Sequence, residues 1–159
     1  MTLHKKDMLI LKELLEDSRI LFSDLGRKCR MSRQTAFNRV KFLKRSGIVE
    51  KFTIKPNFKK LGLDFMAYIL VSAEPGKEQR EKFSEFLRIE KRISQVHYLF
   101  GRFDFFLEAV VSNREELSEL LRKIHSFQAV KKTETFIVYD TLKYEPEAPV
   151  KHMISKNVD

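Results

Sequence analysis

The spacing of apolar residues changes near residue 65, and this change constrains the fold more than any other feature of the sequence. Before it, apolar residues recur every three or four positions, as Met8, Leu11 and Leu15 do, which is the pattern of an amphipathic helix. After it, short apolar runs of strand length alternate with further helical stretches. Because 159 residues suffice for one domain or two small ones, the change predicts a helical domain followed by an α+β domain.

The N-terminal region is predicted to contain three helices. The first runs from Lys5 to Glu16, Ser23 can cap a short second helix, and Ser32 can cap a third. Gly47 would end the third helix after about Ser46. The following stretch, residues 48–54, is rich in β-forming residues. Three helices with a tight second connection predict a (winged) helix-turn-helix domain over residues 1–55.

The second region is predicted to form a ferredoxin-like domain over residues 65–144, after a linker at residues 56–64. The predicted order is strand, helix, strand, strand, helix, strand, which is the βαββαβ arrangement. These elements span residues 65–73, 78–89, 93–100, 103–111, a helix marked by Leu117 to Ile124, and residues 133–142. Residues 145–159, which contain Pro146 and Pro149, are interpreted as a C-terminal extension on the surface.

The predicted strands are apolar on both faces. The third strand would carry Phe103, Phe105, Leu107, Ala109 and Val111 on one face, with Phe106 and Val110 on the other. A sheet that is apolar on both faces is normally covered on both, and the two helices cover only one. We therefore expect a second subunit to cover the other face.

The excess of positive over negative charge is confined to the N-terminal region. Residues 1–60 contain 16 Lys and Arg against 6 Asp and Glu, whereas residues 61–159 contain 15 against 16. Such a basic domain attracts a polyanion, and nucleic acid is the commonest one. An anionic membrane surface and a merely solvated charged face are the alternatives. The single cysteine, Cys29, allows no internal disulfide, and no apolar run reaches the length of a membrane span, so a cytoplasmic location is expected.

The third helix has the composition of a recognition helix. On a helical wheel Ala36, Val40 and Leu43 face the core, so the polar side chains point away from it. Gln and Asn can bind adenine, Arg can bind guanine, and an aromatic ring can contact a thymine methyl, whereas Lys and Arg elsewhere bind phosphates. The predicted DNA-binding residues are Arg33, Gln34, Thr35, Phe37, Asn38, Arg39, Lys41, Lys44 and Arg45, with Arg27, Lys28 and Arg30 from the second helix and the turn.

Two other classes of function were weighed. An enzyme is disfavoured because the four histidines are scattered, no metal-binding spacing occurs, and the five glycines form no phosphate-binding loop, so no catalytic residue, metal or cofactor is predicted. An RNA-binding module, or a small-molecule-sensing module without a transcriptional role, remains the alternative. The ferredoxin-like order also occurs in domains that stack RNA bases on sheet aromatics such as Phe103 and Phe105. The near-neutral second region disfavours RNA binding, since it offers RNA phosphates little to bind.

The ordered set of local motifs resembles the Lrp/AsnC (feast/famine) regulators over residues 5 to about 144. The resemblance rests on Asp7-Met8-Leu9-Ile10-Leu11, Leu25 with Ser32, Arg39-Val40, Leu43, Ser46-Gly47-Ile48-Val49, Lys60-Leu61-Gly62, Gly101-Arg102-Phe103-Asp104, and Thr133 with Thr135. It implies prokaryotic transcription control by homodimers that often assemble into octamers.

The resemblance also implies an amino-acid effector, bound between dimers. The positions it maps to are Gly101, Arg102, Asp104, Thr133 and Thr135, where Asp104 would hold an α-ammonium group. A simple hairpin turn at Gly101-Arg102 is the alternative.

Two positions depart from the family pattern. Arg30 stands where the family usually has a turn glycine, and Gly26 stands where it has a small alanine. These departures predict a distorted turn or a phosphate contact by Arg30.

Overall fold

A computed structural model describes residues 3–74 and 76–158. Met1, Thr2 and Asp159, which belong to the predicted terminal segments, and Pro75 lie outside the described residues. The chain forms two compact units, one made of residues up to Lys55 together with those from Lys143 onward, and one made of Pro56–Leu142. The helices and strands are α1 (Lys5–Glu16), α2 (Phe22–Lys28), α3 (Arg33–Arg45), β1 (Phe65–Ala73), α4 (Lys77–Ile89), β2 (Ile93–Tyr98), β3 (Phe105–Val111), α5 (Arg114–His125), β4 (Val130–Ile137) and α6 (Ala148–Val158).

The first unit contains the predicted three helices. Their apolar stripes meet in one buried cluster that includes Ile10, Leu25, Cys29, Val40 and Leu43. The ends of α3 are as predicted. The Ser32 hydroxyl accepts a hydrogen bond from the Thr35 amide at 3.1 Å, and Gly47 adopts a positive φ of 74° after the helix.

The predicted cap of α2 is wrong by two residues. This helix begins at Phe22, and Leu21 is its N-cap without a side-chain hydrogen bond, so Ser23 lies within the first turn. The predicted β-rich stretch 48–54 also forms no strand within the described residues. It contains the exposed side chains of Phe52 and Ile54, the latter 80% exposed. A strand needs a partner for its backbone groups, and the described part of the chain offers this segment none.

The C-terminal segment is not the surface extension that the two prolines suggested. Residues 148–158 form α6, which packs against α1 and buries Ile154 in the cluster of the first unit. Pro149 lies in the first turn of α6, where a proline costs no helical hydrogen bond.

The second unit is the predicted ferredoxin-like domain. Its four-stranded sheet has the order β2-β3-β1-β4, and all neighbouring strands are antiparallel. Two strands start elsewhere than predicted. β3 begins at Phe105, so Phe103 lies in the preceding loop; next to the strand, the Asp104 amide donates to Val71 O and the Leu99 amide donates to Asp104 O. β4 runs from Val130 to Ile137, since its pairing with β1 starts opposite Ala73 and ends opposite Ala67.

The two faces of the sheet differ in their cover. α4 and α5 bury the face that carries Ile69, Val71, Phe105, Leu107 and Ala109, together with Phe83, Leu120 and Ile124 of the helices. The register places Tyr68, Leu70, Phe106, Val110 and Phe136 on the opposite face. No helix within the described residues is long and apolar enough to span a membrane.

Candidate DNA-binding surface and effector site

The exposed side of α3 is a polar strip with its side chains prearranged. Gln34 and Asn38 lie one turn apart, and the Gln34 Nε2 donates to Asn38 Oδ1 at 3.2 Å. This bond orients two amides that can each pair with an adenine edge. Thr35 has a different role, because its hydroxyl lies 2.8 Å from that of Ser32 and its amide donates to the same group. Thr35 therefore closes the cap of the helix.

Arg39 is partly withdrawn from the strip. Its guanidinium lies 3.4 Å from both carboxylate oxygens of Asp7, which is almost completely buried on α1. The His4 amide also donates to this carboxylate at 3.3 Å. Truncating Arg39 would leave the Asp7 charge buried without its cation, which is costly. The pair links α1 to α3, so Arg39 positions the recognition helix more than it offers a charge to phosphate.

The predicted cations fall into two groups. Arg27 pairs with Asp24, and Lys28 pairs with Glu13 at 2.6 Å, a bond that raises the pKa of Lys28. The second group makes no ion pair within the described residues, so its charges are available to a polyanion; it comprises Arg30, Arg33, Lys41, Lys44 and Arg45. A charge that is already paired with a carboxylate adds less to counterion release than an unpaired one, so the second group offers a polyanion the more available charges.

Two phenylalanines border the strip. Phe37 packs edge-to-face on Phe22 of α2, with 5.3 Å between ring centroids, yet 41% of it remains exposed. Phe42 is exposed to the same degree. Phe42 was not among the predicted DNA-binding residues, although its position one turn after Asn38 indicates that it lies on the same side of the helix. Both rings are accessible to the methyl groups and sugars of a groove.

The turn between α2 and α3 contains both departures from the family pattern. Arg30 has a φ of 51°, the left-handed conformation that was expected to be strained. The Met31 amide donates to Gly26 O at 2.8 Å, and a Cβ on Gly26 would lie only 2.7 Å from Met31 O. The turn thus folds so tightly onto α2 that only glycine fits at position 26.

Asp104, the predicted ammonium ligand, is already engaged by the fold. Its Oδ2 accepts a hydrogen bond from the Ala73 amide at 2.8 Å, and its Oδ1 lies 3.1 Å from the Arg80 guanidinium. These contacts tie the β2–β3 loop to the end of β1 and to α4. The carboxylate therefore holds the shape of the loop.

The other predicted effector residues lie around the same end of the sheet. Arg102 reaches β4 and pairs with Glu134 at 2.8 Å, between the two predicted threonines. The Thr133 hydroxyl lies 2.7 Å from His125 Nε2, and Thr135 is exposed. Gly101 has a φ of 147° and open space around its missing side chain, so the backbone is accessible there. The Lys132 and Arg102 cations hold the pKa of Glu134 below its ordinary value.

Three features of the described residues bear on the two competing classes of function. No group of three or more His, Cys, Asp or Glu side chains that could hold a metal ion occurs among the described residues. Cys29 is buried in the core of the first unit, and burial raises the pKa of its thiol. Phe105, one of the two rings considered for base stacking, is fully buried beneath α4 and cannot stack on a base.

Comparison with known sequences decides the family. The model of the Lrp/AsnC ligand binding domain matches residues 66–148, and that of a winged helix-turn-helix DNA-binding domain matches residues 3–50. An HTH-type transcriptional regulator of Pyrococcus horikoshii is 37% identical over 146 residues, which cover 90% of this chain and 97% of the relative. The chain belongs to the Lrp/AsnC family of transcriptional regulators.

A further sequence relative and two solved structures are also similar to this Lrp/AsnC regulator. The HTH-type transcriptional regulator FL11 of Pyrococcus abyssi is 31% identical over 150 residues, covering 94% of this chain and 98% of the relative. A transcriptional regulator of Neisseria meningitidis, solved as a complex with L-Met, superposes with a TM-score of 0.89 at 26% identity, covering 96% of this chain and 99% of that one. E. coli AsnC shares the fold, with a TM-score of 0.83 at 22% identity. The superposition covers 91% of this chain and 97% of AsnC.

Proposed function

We propose that this Lrp/AsnC regulator binds pseudo-palindromic duplex DNA on the cytoplasmic nucleoid as a homodimer or higher oligomer, with α3 in the major groove. The exposed face of α3 is the observation that carries the proposal. It combines a prearranged Gln34–Asn38 pair with the cations of Lys41 and Arg45, which make no ion pair within the described part of the chain. Amides suit base edges and free cations suit phosphates, so one helix supplies both kinds of contact.

The two kinds of contact are separable by mutation. Asn38→Ala removes a base-reading amide, so we expect it to lower discrimination between operator and random DNA by about 1 to 3 kcal/mol. Lys44→Ala removes a phosphate ligand, so it should weaken binding to all sequences alike and reduce the salt slope by about 1. Lys28→Ala is the matched control: its charge is paired with Glu13, and the slope should change less.

The operator sequence is identified by selecting the fragments of random DNA that the protein binds. The affinity for the selected fragments is then measured at several salt concentrations. Selected fragments should contain two inverted half-sites about 10 base pairs or a multiple apart. Equal affinity for every duplex at physiological salt would contradict the proposal.

We further propose that an amino acid modulates this activity through the end of the sheet that carries Gly101 and Arg102. The solved relative in complex with L-Met supports an amino-acid ligand. Because Asp104 is already bound to Ala73 and Arg80, the α-ammonium group would be held chiefly by backbone carbonyls or by Glu134. The Arg102 guanidinium, which now pairs with Glu134, would be the partner of the carboxylate.

A further inference from the structure

The chain returns to its DNA-binding unit after completing the sheet. We call residues 143–158 the C-terminal strap. Its helix α6 buries Ile154 to 1% exposure in the cluster that includes Ile10 and Leu11 of α1, and Val158 packs partly buried against the same cluster. A buried isoleucine contributes a few kcal/mol of transfer free energy. The strap is therefore a docked element of the unit that carries the recognition helix.

Polar contacts hold the strap at its beginning and near its middle. Lys151 pairs with Glu16 at the end of α1 at 2.8 Å, and this bond lowers the pKa of Glu16. At the beginning of the strap, the Lys55 ammonium donates to Tyr144 O and lies 4.9 Å from the centre of the Tyr144 ring. Lys55 is the last residue before the chain first leaves the unit, so this contact joins the outgoing and the returning segments.

Most of the strap lies outside the regions that define the family. The helix-turn-helix model ends at residue 50 and the ligand-binding model ends at residue 148, where α6 begins. The core of the DNA-binding unit is thus completed by a helix that neither model includes. Residues 139–146, which lead from the sheet into α6, are exposed throughout.

We propose that the strap is a second tether that restricts how far the helix-turn-helix unit can move, and that it thereby limits the half-site spacings that an oligomer accepts. The chain crosses between the units twice, at Lys55–Pro56 and at Leu142–Lys143. A unit on one linker can swivel about that linker, whereas a unit on two adjoining connections loses most of this freedom. The effect of the strap on half-site spacing rests on the proposed DNA binding, whereas the docking of α6 on the first unit does not.

The docking is tested in the full-length protein by limited trypsin digestion. Ile154→Asp places a charge in the buried cluster and should release α6, so cleavage after Lys151 and Lys156 should become at least about tenfold faster, because a released helix is cut from an open state. His152→Asp is the matched control, since His152 is exposed on the same helix and the variant should be cut as the wild type is. Equal cleavage of Ile154→Asp and wild type would overturn the docking and with it the tether.

The spacing effect is tested with operators whose half-sites are moved apart by about half a helical turn, roughly 5 base pairs. The wild type should lose on the order of 100-fold in affinity, because the two units can no longer engage together. Ile154→Asp should lose less than about tenfold, because a single linker lets the units follow the half-sites. An equal loss in both proteins would overturn the proposal.

A second variant keeps the test valid if Ile154→Asp does not fold. Inserting eight Gly and Ser residues after Leu142 leaves α6 and its docking surface intact and only lengthens the tether. Trypsin should cleave this variant after Lys151 as slowly as it cleaves the wild type. Its affinity for operators with the altered half-site spacing should fall less than about tenfold, as is expected for Ile154→Asp. Retention of the wild-type spacing preference would count against the tether. Failure of the wild type to select any duplex would instead refute the proposed function and leave the digestion result to judge the docking.

Discussion

Arg30 shows how a single residue can oppose the fold that surrounds it. Its positive φ costs a non-glycine residue about 1 to 2 kcal/mol, and the neighbouring helix enforces it through the hydrogen bond from Met31 to Gly26. The side chain is exposed and makes no ion pair within the described residues, so no contact there offsets the strain. Retaining an arginine at this position is consistent with a phosphate contact.

We therefore expect Arg30→Gly to stabilise the protein and to weaken DNA binding. The gain in the free energy of unfolding should be up to about 1 kcal/mol, because relief of the strained φ exceeds the greater entropy of glycine in the unfolded chain. Urea unfolding measures the gain. Arg30→Ala is the control: it removes the same charge and keeps the strained backbone, so it should weaken DNA binding without any stabilisation. A gain of equal size for alanine would contradict this explanation.

Glu90 is the residue whose ionisation contributes most clearly to stability. Arg92 binds its carboxylate through two nitrogens, at 2.9 and 3.0 Å, and Lys123 approaches to 3.4 Å. The hydrogen bonds from Arg92 lower the pKa of Glu90 to about 2. A lowered pKa means that this stabilisation is complete above the unfolded-state pKa of about 4.3 and is lost as the pH falls toward 2.

Glu90→Gln should accordingly destabilise the protein by up to about 3 kcal/mol at neutral pH. The difference from the wild type should shrink between about pH 4.3 and pH 2 and vanish below that range, which urea unfolding at a series of pH values would show. Glu78→Gln is the control, because Glu78 forms an exposed pair with Lys82 and should change stability little. A pH-independent difference for Glu90→Gln would show that its effect is steric.

At the scale of the elements, the sheet has more apolar surface than α4 and α5 cover. The open face carries Tyr68 and Phe106, whose ring centroids are 5.2 Å apart, and His97 lies 5.9 Å from the same phenylalanine. Glu108 is buried on this face, with its carboxylate accepting a hydrogen bond from Ser94 at 2.6 Å. The register places Phe106 on this face, so Phe106, rather than Phe103, is the residue that we expect to face a second subunit.

Phe106→Asp should therefore dissociate the proposed dimer. A charge at the centre of a buried apolar interface is strongly unfavourable, so sedimentation at micromolar concentration should show the wild type as a dimer or larger and the variant as a folded monomer. Phe100→Asp, in the fully exposed loop, controls for loss of a phenylalanine. A monomeric wild type, or a Phe106→Asp variant that remains dimeric, would contradict the assignment of this face.

At the scale of the whole molecule, the question is whether a small molecule bound to the second unit controls the first. A ligand at 100 times its Kd stabilises the state that binds it by about 2.7 kcal/mol, which shifts the melting temperature measurably. Among the twenty amino acids, at least one should raise the melting temperature, and that amino acid should also change assembly size or DNA affinity. Arg102→Met should abolish the shift while leaving the fold intact. No shift with any of the twenty would refute an amino-acid effector.

The sequence by itself determined the order and type of nearly all the elements. Apolar spacing predicted α1, the Ser32 cap and Gly47 located α3, and alternating apolar runs located the four strands, because these signals are local. The outward-facing side chains of α3 were also predictable, since the buried stripe of Ala36, Val40 and Leu43 determines which side chains of this helix face away from the core. The motifs of the family also indicated the function without the tertiary structure.

Only the tertiary structure decided which charges are free and which elements pack together. The local sequence around Arg39 or Asp104 does not predict the partners of these side chains. Arg39 contacts Asp7, 32 residues earlier, and Asp104 contacts the Ala73 amide, 31 residues earlier, as well as Arg80. The docking of α6 on α1 depends on a similarly distant contact, because one apolar residue near the chain terminus predicts no packing partner. Local spacing determines secondary structure, whereas pairing between distant segments depends on the folded chain bringing them within contact distance.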